Sequence, residues 1–338
     1  MTADQGLVLA WLVLAHFAAD FVFQPGAMAR AKALPGNAAY PALLGHALVV
    51  AALLVPFGLA FGAPGWWVLV IVAVSHAVID RLKSVLTRRA EAVALAEARR
   101  RNEAAGTAAD GLGPAWTPVP GALFLVDQLS HLAILVAAWA ALLSVAPLEP
   151  GFADWATGWL GAWDPDVVNE VLFRGAVLAS LLIVNVRAGA LFVGVLVVPR
   201  LATAGRPAGT AQTAPPTAPV PPDEPVGWTF QVGPFEGRAV PDRPEPATAE
   251  APVLPNPSAP PGRVGEAIGI IERLLIVTFV LVGAEAAIGL VIAAKTLARF
   301  KQLDDRDFAE YYLLGTLASV AVAAISAFVA VAALGTLG

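Results

Sequence analysis

Residues 6–24 read GLVLAWLVLAHFAADFVFQ, an unbroken apolar run with one histidine and one aspartate set into it. A helix needs about 20 such residues to cross the hydrocarbon core of a bilayer. The run is rich in Ala and Leu and does not alternate, so a strand of a membrane barrel does not fit it. Similar runs occupy residues 39–62, 65–86, 119–146, 167–185, 264–282, 284–300 and 308–335. The composition agrees, since 58% of the 338 residues are hydrophobic and only 14% are charged. Soluble domains carry about a quarter charged residues. The expectation is an all-α, polytopic integral membrane bundle of about eight transmembrane helices.

Ala27-Met28-Ala29 mimics a signal-peptide cleavage site. The preceding segment has Asp4 and no Lys or Arg, and His16 and Asp20 interrupt its apolar stretch, so a retained first helix is expected. Cysteine is absent, which excludes disulfides, thiolate metal sites and cysteine nucleophiles. The net charge of −5 gives no reason to expect nucleic acid.

Four regions follow. Residues 1–146 hold four spans, and 147–201 hold a Trp-rich loop and a fifth span. Residues 202–262 form a Pro/Ala-rich stretch, and 263–338 hold three more spans. The segment 186–201 extends the fifth helix or lies at the interface. Arg81, Lys83, Arg88, Arg89 and Arg99 to Arg101 follow the third span, and the positive-inside rule makes that segment cytoplasmic. Its Ala/Glu/Arg composition continues the third helix, as a topology anchor or a surface for anionic lipid or a partner. Arg30, Lys32, Arg299, Lys301 and Arg306 then also fall inside, and both termini fall outside. Trp155, Trp159 and Trp163, in the opposite loop, suit a short helix at headgroup level. The Pro-rich stretch reads as a disordered cytoplasmic linker. Trp228 to Val232 and Phe235 make an apolar island in it, either a chance patch or a docking segment for a protein partner.

All four histidines lie within expected spans: His16, His46, His76 and His131. Three have an aspartate four residues away on the same helix face, in the pairs His16/Asp20, His76/Asp80 and Asp127/His131, and Gln24 extends the first face. A charge at mid-bilayer costs at least about 2.5–3.5 kcal/mol, so the repeated pairing needs a reason. Each group stands about eight residues from the same end of its span, roughly 12 Å deep. Such a layer brings the groups together across four helices. Imidazole and carboxylate suit a zinc-like or a dinuclear manganese or iron site, with some carboxylates orienting the imidazoles from behind. His16, His76, Asp80, Asp127 and His131 are the candidate metal ligands. Asp20 and His46 are further ligands or the general base. Ser75 and Ser130 are candidate auxiliary hydrogen-bonders. The same residues suit a proton or cation pathway, or interhelical pairing alone.

The second half has its own charged groups in apolar sequence, expected to be buried: Glu266, Glu272, Arg273, Glu285, Lys295 and Glu310. Ion pairing between helices is expected for them, although Arg273 or Lys295 would also suit an anionic headgroup. Gly283 makes the sixth and seventh spans a tight helical hairpin, and Gly315, Thr316 and Ser319 make a close-packing surface of small residues.

Taken together, His16 to Asp20, Phe21 and Gln24, His76 to Asp80 and Lys83, and Asp127-Gln128 to His131 form a pattern. So do Glu272-Arg273, Lys295 to Phe300, and Glu310-Tyr311 to Gly315-Thr316. The pattern resembles an uncharacterised bacterial membrane family, domain of unknown function three-three-zero-seven, with the Pro-rich stretch as an insertion. The resemblance implies a bacterial inner-membrane location and carries no activity. The leading expectation is a hydrolase that uses a divalent metal on a lipid-like or membrane-embedded substrate. A proton- or metal-coupled transporter and a scaffold or partner subunit are the alternatives.

Overall fold

A computed structural model describes residues 5–104, 117–197, 228–232, 235–239 and 261–335. The architecture is all-α, apart from one short hairpin. Helix α1 (Gln5–Phe17) continues through a π-helical turn at Ala18–Val22, and a short α2 (Gly26–Lys32) folds back behind it. Then come α3 (Tyr40–Phe61), α4 (Ala63–Ala104), α5 (Val119–Ala138, with a π turn at Trp139–Leu143) and α6 (Pro150–Leu160). Helix α7 (Pro165–Ile183) passes through a third π turn, Val184–Ala188, into α8 (Gly189–Val197), so 186–197 extends the fifth expected helix. Helices α9 (Pro261–Leu281), α10 (Ile288–Ala298) and α11 (Arg306–Gly335) complete the chain.

Among the described residues, five helical stretches are long and apolar enough to cross a membrane: Gln5–Val22, Gly36–Phe61, Val119–Leu143, Pro165–Val197 and Phe308–Gly335. The expected spans outside these five are 65–86, 264–282 and 284–300, and the last of them, α10, falls short for a physical reason. Its 11 residues rise about 16 Å, half the thickness a span must cover. Gly283 turns the chain at φ +72 between α9 and α10, so a hairpin is present, but its second arm is short.

Helices α1, α3, α4 and α5 share one core, in which Leu12, Val50, Leu54, Val68, Val72 and Leu135 are buried. Helices α3 and α4 are joined by Gly62 alone, at φ +61, a region open to glycine at little cost. Gly58 lets the same two helices close: a Cβ there would stand 2.6 Å from the Trp66 ring. A second core joins α7, α9 and α11 through Leu181, Ile276, Val280, Ala323 and Ala327. Gly315 faces Val193 and Val197, and Thr316 and Ser319 are buried, so the small-residue face packs as expected. Helix α6 buries none of its residues, and Trp155, Trp159 and Trp163 are exposed in and just beyond it.

Within the expected linker, Trp228–Val232 and Phe235–Ala239 pair as an antiparallel hairpin, with Val232 opposite Phe235 and Trp228 opposite Ala239. That corrects the disordered reading for those residues, where short range pairing supplies structure without a large core. The remainder of 202–260, with Pro199-Arg200, lies outside the described residues.

Candidate metal centre

The seven titratable groups of the first four expected spans meet in one buried cluster. His16, Asp20, His46, His76, Asp80, Asp127 and His131 are each at most 7% exposed. They come from the end of α1 and the π turn after it, the first third of α3, the first half of α4 and the middle of α5. That is the shared layer that the sequence spacing predicts.

The pairing inside the layer differs from the expected turn-by-turn pairs. Asp20 lies in the π turn after α1, and a π turn shifts the register of the face that follows it. Its Oδ1 stands 3.1 Å from His46 Nε2 and 3.0 Å from His76 Nε2. The two Nε2 atoms are 2.9 Å apart. His16, the expected partner of Asp20, instead donates from Nε2 to Gln128 Oε1 at 3.3 Å. Gln128 in turn donates to Asp20 Oδ2 at 3.0 Å and to Asp127 Oδ2 at 3.1 Å. Asp80 Oδ2 is 3.8 Å from both His46 and His76. The His131 ring stacks on that of His76 with centroids 3.9 Å apart, and its Nε2 is 3.5 Å from Asp127 Oδ1.

Two lysines supply counter-charge. Lys83 donates to Asp127 at 2.7 Å and also lies over the Phe124 ring. Lys32, buried at 7% exposure, donates to Asp80 at 2.5 Å and also reaches Gln24. Sequence reading had assigned Lys32 only to a basic loop. It arrives because α2 is pinned onto α4: Arg81 and Arg88 donate to the carbonyls of Ala33, Leu34 and Gly36 at the end of α2. Basic side chains commonly satisfy the free carbonyls of a helix terminus. Ser75 and Ser130, by contrast, bond back to Val72 O and Val126 O of their own helices and take no part.

Lysine thus compensates two of the three carboxylates, and the uncompensated charge is on Asp20. A neutral imidazole has one N–H and one lone pair. An Nε2 that carries the proton donates to Asp20 Oδ1; with both protons on Nδ1, two Nε2 lone pairs and Asp20 Oδ1 stand within 3.1 Å of one another. No hydrogen bond reaches either Nδ1. Three groups of possible metal-ligating atoms lie within 4.8 Å of one another: His16/Asp20/His76, His46/His76/Asp80 and Asp20/Asp127/His131. Asp20 and His76 each belong to two of them.

All of these residues fall inside one matched region. Residues 8–152 match the family model described as Protein of unknown function (DUF3307). The N-terminal region is a DUF3307 domain. The domain runs from within α1 to within α6 and contains the whole cluster, while α7 to α11 lie beyond it. No curated protein and no solved structure matches the chain.

The charged residues of the second half gather less. Lys295 and Glu272 form the expected interhelical pair at 2.7 Å. Glu266, Glu285 and Glu310 are exposed, which corrects their reading as buried. Each lies at the start of a helix or in a turn, where water or headgroups can reach. Glu310 pairs along its own helix with Arg306 at 3.0 Å. Arg273 is buried at 2% exposure and meets no carboxylate among the described residues. Its Nε donates to Asn185 O at 2.6 Å and its Nη1 to Ser319 Oγ at 3.3 Å. Asn185 lies in the π turn between α7 and α8.

Proposed function

We propose that the protein is a metal-dependent hydrolase of a lipid-like, membrane-embedded substrate, with a divalent ion held by Asp20, His46 and His76. The carrying observation is the triangle of Asp20 Oδ1 and the two Nε2 atoms, whose edges are 2.9, 3.0 and 3.1 Å. Neighbouring ligands about 2.1 Å from an octahedral ion stand about 3.0 Å apart, and those of a tetrahedral one about 3.4 Å. Two imidazoles and one carboxylate on one face suit iron or manganese, and leave the opposite positions open to water and substrate. Asp80, His16 and Asp127 border the ion, as further ligands or as groups that orient the first three.

An ion held there would lower the pKa of a bound water and so supply the nucleophile. His131, whose Nε2 makes no hydrogen bond, would accept the proton that the water loses and return it to the departing alcohol oxygen as the ester bond to carbon or phosphorus breaks. Beyond the cluster the bundle is filled by Leu12, Val50, Leu54, Val68, Val72 and Leu135. That apolar filling gives a transported ion no polar foothold, and it favours hydrolysis over transport. On the positive-inside rule the reading has the basic loops cytoplasmic, and the family resemblance implies a bacterial inner membrane.

Elemental analysis of the full chain, gently purified in mild detergent, tests the reading. Near-stoichiometric iron, manganese or zinc is expected, and its loss in Asp20→Asn and His46→Ala at unchanged helix content. Wild-type protein with clearly less than one ion per chain would refute it.

A further inference from the structure

Beside the cluster, α1, α5, α7, α8 and α11 enclose a cavity of about 820 Å³. Sites for drug-sized ligands run from roughly 300 to 1,000 Å³. Ser180 and Ser326 bring the only polar side-chain atoms to its wall, which is otherwise built of residues such as Leu9, Phe17, Phe173 and Ile325. Ser180 is buried and its Oγ has no partner. Four of the five stretches apolar enough to cross a membrane, all but Gly36–Phe61, contribute to the wall. Leu125, Ile325 and Val329 belong both to the cavity and to the exposed surface of those helices, at 45%, 64% and 64% exposure. The mouth opens between helices apolar enough to lie in a bilayer.

The cavity borders the candidate centre, although no residue of the cluster lines it. Phe17 lines the cavity, and its ring centroid is 5.5 Å from that of His16. Leu125 precedes Asp127 by two residues on α5. Charge decides what kind of head would sit there. Asp20, Asp80 and Asp127 against Lys32 and Lys83 leave one negative charge, and a divalent ion turns that into one positive charge. An anionic group fits such a centre, and a cationic one does not.

We propose that the cavity holds the apolar tail of a lipid phosphoester whose phosphate reaches the Asp20–His46–His76 centre. The proposal rests on the metal-centre reading and names its substrate class. Blocking the tail site should leave the ion in place, because no cavity wall residue is a ligand.

The full chain, reconstituted in phosphatidylcholine vesicles with a trace of phosphatidic acid bearing a diazirine in its acyl chain, is irradiated and its adducts are mapped by mass spectrometry. Adducts are expected on α1, α7 and α11 at cavity residues, competed by unlabelled phosphatidic acid. Ala321→Phe fills the cavity, and Val329→Trp obstructs its mouth from an exposed position that does not disturb the core. Each should lose these adducts while keeping the metal content of the wild type. Adducts confined to outward residues such as Leu290 and Leu297, or cavity adducts that survive both substitutions, would overturn the tail site. Metal bound without cavity adducts rejects this inference alone. Competed cavity adducts in a metal-free protein support the tail site and reject the hydrolase reading.

Discussion

The bundle contains two buried polar clusters, and they solve the burial of charge in opposite ways. In the DUF3307 domain, acids, imidazoles and lysines crowd together, and three lone-pair-bearing atoms converge on one point at edges near 3 Å. Around Arg273 the guanidinium is met by a backbone carbonyl and a serine hydroxyl, with Glu272 and Glu266 as the carboxylates nearby. The Arg273 arrangement spends its donors on holding α9 against the π turn between α7 and α8 and against α11. It behaves as a pin. The first cluster leaves His46 Nδ1, His76 Nδ1, Asp127 Oδ1 and His131 Nε2 without a hydrogen bond, and the proposed ion answers to that arrangement. The comparison teaches that burial of a charge alone does not mark a site; convergence of unsatisfied lone pairs does.

The comparison breaks most sharply at Lys32. Lys32→Met leaves Asp80 buried without its ammonium, and removal of one partner of a buried pair costs about 3–5 kcal/mol. A fall of that order in detergent unfolding stability is expected, and an unchanged protein would show that Asp80 finds its counter-charge elsewhere. Arg273→Met should cost less, about 1–3 kcal/mol for the orphaned Asn185 carbonyl. Metal content should be untouched, so any loss of the ion would mean that the two clusters are coupled. Gln128→Leu removes the link between His16, Asp20 and Asp127, and groups that orient ligands are worth about 10–100-fold in metal affinity. A metal titration reads that shift, with stability little altered. Glu310→Ala, on an exposed pair with Arg306, should change stability by about 0.2–0.5 kcal/mol. A larger effect would mean that this end of α11 is covered by something else.

Spacing alone carried a good part of the site. The regular distance of His16, His46, His76 and Asp127 from the ends of their apolar runs predicted the layer in which they meet, because helical rise converts residue count into depth. Partners within the layer were not legible. A π turn at Ala18–Val22 has no sequence signature that hydrophobic periodicity detects, and it turns Asp20 from His16 to His46 and His76. Lys32 escaped for a related reason: its burial depends on α2 folding back, which Arg81 and Arg88 fix through backbone carbonyls 44 or more residues away. At the other end of the chain, apolar composition at 284–300 looked like a span, but the turn at Gly283 and a break after Ala298 leave α10 too short.

Helix α4 has 42 residues, about 63 Å at the helical rise, roughly twice the thickness of a hydrocarbon core. From Trp66 to Ala104 it contains no Pro or Gly, the usual causes of a sharp kink. His76 and Asp80 are therefore mounted on a stiff mast whose far half is studded with arginines. A push or twist applied to that far half reaches the two side chains without a hinge to absorb it, so anything that grips the mast has a mechanical handle on the centre.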